Sequence, residues 1–169
     1  DLVNSYSVDE LNRVFKIYGD FKNPSKITSK ILDFRKKNKI RTTVQLAKVI
    51  TENQNHGSTN LNKFLSRIFQ AIRIEVNDEL NIIKSLLIQS SKILKKGGRL
   101  VCISYHSLED RLVKRFMQNG TFENDAISDI YGNKDLIFKK IGKLISPDNE
   151  EVKMNNRSRS AKLRIAEKI

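Results

Sequence analysis

GGRLVCISYHSLEDRLVKRF, residues 97–116, passes from the end of one helix through a strand into the next helix. Arg99-Leu100-Val101-Cys102-Ile103-Ser104 is a short, nearly continuous apolar run, the pattern of a strand buried on both faces, and it predicts a strand of a parallel sheet. Upstream, Lys95, Lys96, Gly97 and Gly98 close a helix expected over 78–96, because cations and glycine suit a helix C-terminus. Its buried stripe reads Leu80, Ile83, Leu87 and Leu94. Downstream, Ser107-Leu108-Glu109-Asp110 offers an N-cap, and Leu112, Val113 and Phe116 continue as an amphipathic helix. Helix, buried strand, polar loop, helix is the grammar of an α/β fold.

Working outward, a polar stretch over 119–133 separates this block from two further expected strands, 136–144 and 161–167. In the second, Leu163 and Ile165 alternate with Lys162 and Arg164, and the two are expected to pair antiparallel at a sheet edge. Toward the N-terminus, 61–75 reads as a helix with Leu65, Phe69, Ile72 and Val76 on one side, and 53–60 as a polar, turn-rich loop. Ahead of that loop stand three short helices. Ser7-Val8-Asp9-Glu10 is a capping box that starts the first, with Leu11, Val14, Phe15 and Tyr18 on one face. Pro24 opens the second, whose Ile27, Ile31, Leu32 and Phe34 face inward, and Thr42 or Thr43 caps a third carrying Val44, Leu46, Ala47 and Ile50. The expected organisation is a helical unit over 1–60 and an α/β unit over 61–169.

Charge narrows the function. The chain has 169 residues with 32 Lys and Arg against 19 Asp and Glu, a net charge of +13 that points to a polyanionic partner, with nucleic acid the leading candidate. Between positions 21 and 50, Lys22, Lys26, Lys30, Arg35, Lys36, Lys37, Lys39, Arg41 and Lys48 face only Asp33. Phosphate binding there would be independent of base sequence and sensitive to salt. At 38% hydrophobic residues the chain is globular, and no run is long and apolar enough for a membrane span. The single Cys102 excludes an internal disulfide framework and a multi-cysteine metal cluster, and two histidines make a His-based metal site a poor expectation.

In open α/β sheets ligands sit beyond the carboxyl ends of the strands, which directs attention to Tyr105, His106, Ser107, Glu109, Asp110 and Arg111. The plain alternative is that Ser107 caps a helix while Glu109, Asp110 and Arg111 form surface pairs. Arg157-Ser158-Arg159-Ser160, preceded by Asn155 and Asn156, places two guanidinium forks and hydroxyl donors in one short loop, suited to phosphates or simply to solvent. There is no Gly-x-Gly-x-x-Gly, no P-loop and no Gly-x-Ser-x-Gly elbow, so neither a nucleotide or S-adenosylmethionine cradle nor a serine hydrolase site is visible.

Three stretches in order, RIFQAIRIEVNDEL (67–80), GGRLVCISYHSLEDRLVKRF (97–116) and NNRSRSAKLRIAEK (155–168), closely resemble the bacterial 16S ribosomal RNA cytosine-N4 methyltransferase family, also called MraW or RsmH. IYGD (17–20) and RTTVQLAKVI (41–50) look like that family's inserted helical segment. The resemblance covers almost the whole chain, with Tyr105 where the family usually has Phe.

The resemblance implies part of a class I, Rossmann-like, S-adenosylmethionine-dependent methyltransferase sheet with an inserted helical substrate-recognition domain. It implies action on the N4 amino group of a cytidine in 16S ribosomal RNA of the small subunit, in the cytoplasm, with no metal. Family members carry the glycine-rich methyl-donor loop upstream of the matched part, so no cofactor residue is assigned here. Together with Asp1 standing where a Met would start a chain, this gives the expectation of the C-terminal portion of an enzyme whose N-terminal half is missing. The roles that follow place Tyr105 in a stack on the cytosine and His106 or Ser107 at its amino group. Lys26, Lys30, Arg35, Lys36, Lys37, Arg41, Arg157 and Arg159 would hold RNA phosphates. The alternative is a non-catalytic, basic RNA-binding remnant or partner subunit.

Overall fold

The computed structural model describes residues 1–52, 58–123 and 136–169, with the side chains of 58 and 59 left aside. Most of the polar stretches expected at 53–60 and 119–133 therefore lies outside the described residues. The chain divides into two compact units, residues 1–79 and 80–169.

The first unit is helical: α1 (Leu2–Ser5), α2 (Val8–Ile17), α3 (Ser25–Arg35), α4 (Thr43–Thr51) and α5 (Ser58–Val76). Local signals set the helix starts. Ser7 and Glu10 form the reciprocal capping box at α2, and Thr42 Oγ1 accepts from Gln45 N at 3.1 Å at α4. Leu11, Val14, Phe15, Ile27, Ile31, Leu46, Ile50, Ile68 and Ala71 share one core. Because Ile68 and Ala71 of α5 belong to that core, the boundary falls after Glu79 and not at the expected 60/61 loop. The inward stripe of α5 is rotated accordingly, and Val76, expected inside, is exposed. On α4, Val44 is likewise exposed while Val49 is buried.

Two cations expected on the RNA face of this unit work within it. Arg35 donates to the carbonyls of Val3 at 3.1 Å and Tyr6 at 2.7 Å, tying α3 to the turn after α1. Lys30 Nζ donates to Ile50 O at 3.0 Å and to Glu52 O, satisfying carbonyls at the end of α4. Lys26, Lys36, Lys37 and Arg41 are exposed, Lys36 pairing with Asp33 at 3.0 Å.

The second unit contains most of α6 (Glu79–Ile93), then β1 (Arg99–Ser104), α7 (Ser107–Asn119), β2 (Phe138–Ile145), α8 (Asn149–Met154), a 3₁₀ turn (Asn156–Ser160) and β3 (Lys162–Lys168). The strands form one sheet in the order β1-β3-β2, antiparallel throughout. The α/β class and the antiparallel pairing of the last two strands match expectation. The parallel pairing expected for β1 does not: its described neighbour is β3, with Val101 opposite Ile165 and Ile103 opposite Leu163. Nor is β1 buried on both faces. Leu100 and Cys102 pack toward a core of Leu87, Val113, Phe116, Met117, Phe138 and Ala166, whereas Val101 and Ile103 are 54% and 56% exposed. Burial pushes the Cys102 thiol up from its ordinary value. Among the described residues no helix is long and apolar enough to cross a membrane.

Candidate functional site

The chain leaves β1 at Ser104, crosses Tyr105 and His106, and enters α7. The residue that caps this helix is His106, not Ser107: its backbone is extended and its Nδ1 accepts from Glu109 N at 3.4 Å, while Ser107 is already helical. Glu109 completes the box by accepting from the N–H of Tyr105 at 2.9 Å and of His106 at 3.4 Å. With Nδ1 acting as acceptor, the proton of a neutral imidazole sits on Nε2, 3.1 Å from Glu109 Oε1. Burial pushes the Glu109 carboxyl up, but hydrogen bonds from His106 and the Tyr105 amide outweigh it and hold the group below its ordinary value. The imidazole thus shapes the turn. Tyr105 and Ser107 are left exposed at the strand's end.

The second wall is the 3₁₀ turn. Asn155 Oδ1 accepts from Arg157 N at 3.1 Å, and buried Ser158 donates its hydroxyl to Asn155 O at 2.8 Å. Anchored through Ser158, the turn presents Arg157 and Arg159 on either side, both exposed and neither in an ion pair among the described residues. Tyr105, Asn156, Arg157, Arg159 and Ser160 together line an open concavity of about 320 Å³. Two stretches some fifty residues apart in sequence, each picked out as a candidate, thereby form one site.

What joins them is a residue the sequence offered either as part of the site or as one member of a surface pair. Asp110, in the first turn of α7, is 7% exposed and accepts from Arg164 Nε at 2.7 Å, Arg164 Nη2 at 3.1 Å and Lys162 Nζ at 3.3 Å. Burial acts to raise this carboxyl, but Arg164 and then Lys162 outweigh it and leave it below its ordinary value. The fork of Arg164 on a carboxylate fixes both distance and orientation between α7 and β3, hence between the two walls of the concavity. The alternation of Lys162 and Arg164 was a signal that both lie on one face of β3; which face, and what anion met them, was not written locally.

Chemically, the lining offers a π face, an amide, a hydroxyl and two guanidinium groups. Such a set suits a base and the phosphates beside it. Among the described residues no carboxylate lines the site to meet ribose hydroxyls or a sulfonium charge, so the lining present does not match S-adenosylmethionine. The exposed cations of α3 and of the segment after it stand in the other unit.

The class comes from the comparisons with known proteins: the MraW methylase family model matches residues 1–169, and the chain belongs to that family. It is 52% identical over 168 residues to the ribosomal RNA small subunit methyltransferase H of Flavobacterium johnsoniae, covering 99% of this chain and 55% of that protein. Proteins of the same name from Christiangramia forsetii and Cytophaga hutchinsonii are 47% and 46% identical, with 100% and 99% of this chain and 55% and 56% of theirs covered. The chain spans about half the length of the curated relatives it matches.

Proposed function

We propose that this chain is the RNA-engaging C-terminal part of an enzyme that methylates the N4 amino group of a cytidine in the 16S RNA of the small ribosomal subunit, in the cytoplasm. The supporting observation is the concavity in which exposed Tyr105 meets Arg157 and Arg159. In this reading Tyr105 stacks on the cytosine while the two guanidinium groups grip adjacent phosphates. The cytosine amino group needs an acceptor to orient it. His106 Nδ1 already accepts from Glu109 N, which favours the Ser107 hydroxyl for that part, with His106 setting the turn. Exposed Lys26, Lys36, Lys37 and Arg41 supply further phosphate contacts, and Lys30 and Arg35 contribute chiefly by holding the helical unit together. S-adenosylmethionine, the methyl donor the family implies, is assigned to sequence outside this chain, in the missing half of a Rossmann-like sheet with the helical unit as its insertion. No metal is assigned a part.

The test incubates the intact polypeptide, as the source organism makes it, with undermethylated small subunits and S-adenosylmethionine, and reads N4-methylcytidine by nucleoside mass spectrometry. Methylation that falls at least tenfold in Tyr105→Ala supports the reading. Salt-sensitive RNA binding with no methyl transfer would select a non-catalytic RNA-binding remnant instead.

A further inference from the structure

β2 is one of the two outer strands of the described sheet, and it does not run straight. Ile141 faces Ile165 and Ile145 faces Leu163, so Gly142, Lys143 and Leu144 stand opposite Arg164 alone. Gly142 sits at φ 66°, a left-handed conformation that glycine takes without strain. Bulges re-aim side chains. In an unbroken strand Lys140 and Lys143, three positions apart, would point to opposite faces of the sheet. Here both line one shallow hollow, together with Lys114 and Gln118 of α7. Arg164 also lines it but is engaged by Asp110, so the uncommitted charge belongs to Lys114, Lys140 and Lys143. All three are exposed, and among the described residues none makes an ion pair and no carboxylate lines the hollow.

Lysines on an outer strand commonly guard against edge-to-edge pairing. A bulge serves the same end, but that duty needs no third lysine from the facing helix, and Lys114 of α7 supplies one. We infer that the hollow binds phosphate oxygens of an RNA strand, a second backbone contact beside the Tyr105, Arg157 and Arg159 concavity. The inference rests on the RNA reading above and adds a surface to it. β2 lies two strands from β1, about 10 Å at ordinary strand spacing.

The test is the salt dependence of binding of a fluorescent small-subunit RNA fragment to the intact polypeptide. Each single-strand phosphate contact contributes about 0.7 to the slope of log K against log salt. The variant Lys114→Gln/Lys140→Gln/Lys143→Gln is expected to lower the slope by about 2, with an unchanged thermal melt. The three Lys→Arg replacements are expected to keep it. Lys139→Gln, on the same strand but opposite Glu167 in the register and, by strand alternation, on the other face, is expected to leave it unmoved. An unmoved slope in the triple variant, while Arg157→Gln/Arg159→Gln lowers it, overturns this inference and leaves the RNA reading standing. An equal fall in Lys139→Gln also overturns it, because the effect would be diffuse charge. If the unaltered polypeptide binds no RNA, the functional reading fails and this inference with it.

Discussion

Replacing Asp110 by Ala leaves two cations facing a vacated, largely buried spot. The Arg164 side chain is 12% exposed and that of Lys162 is 39% exposed, so Arg164 bears most of the cost and Lys162 escapes into water. Breaking a buried ion pair by removing one partner typically costs 3–5 kcal/mol, and the partial exposure of Lys162 places this site near the lower end, about 3 kcal/mol. For a unit of this size that corresponds to a fall in Tm of roughly 15 °C. The measurement is urea and thermal denaturation of the intact polypeptide followed by far-ultraviolet circular dichroism, since the chain has no tryptophan. Removing Arg164 as well, in Asp110→Ala/Arg164→Met, should recover much of the loss, because the orphaned charge goes with its partner. A single variant within about 0.5 kcal/mol of the unaltered protein would refute the argument that this carboxylate clamps α7 to β3.

Acid should act through the same group. The folded-state pKa of Asp110 lies below its unfolded value, so its contribution is fully present above the ordinary carboxylate range and lost as pH falls through the folded value; Asp110→Asn is expected to flatten the stability profile below about pH 4. Glu109→Ala removes the acceptor for the Tyr105 and His106 amides and should cost about 1 kcal/mol, with faster hydrogen exchange at both; unchanged exchange would count against the capping role. Arg157→Gln/Arg159→Gln should lower the RNA-binding salt slope by about 1.4 and weaken binding to all sequences alike; a sequence-selective loss would mean base readout instead. The 169 residues on their own should bind a hydrophobic dye and associate through the face of Val101, Ile103 and Ile145; a sharp cooperative melt of a monomer would contradict this.

Local chemistry made much of this chain legible. The Ser7/Glu10 box, the Thr42 cap, the apolar stripe of α2 and Ile27, Ile31 and Phe34 of α3 depend on residues three or four apart and stand as expected, while buried Thr28 takes a place on α3 that the stripe did not foresee. The sheet-edge pair was readable from alternation along β3. The motif blocks 97–116 and 155–168 pointed to the family that the comparisons show. By contrast, the length of α5 that joins the helical core was misjudged, because a stripe's direction is set by what packs against it.

Where most helices and strands start, the positive charge of the chain and the two short segments rich in site-forming groups are all legible in the residue order. Folding added that Tyr105 shares a concavity with Arg157 and Arg159, that Asp110 is a buried clamp, that Arg35 and Lys30 hold carbonyls of their own unit, and that a bulge brings Lys140 and Lys143 to one side. The difference is one of range. Caps and periodicity act over one or two turns of backbone, whereas burial of a charge and its choice of partner depend on which distant strand or helix end closes over it.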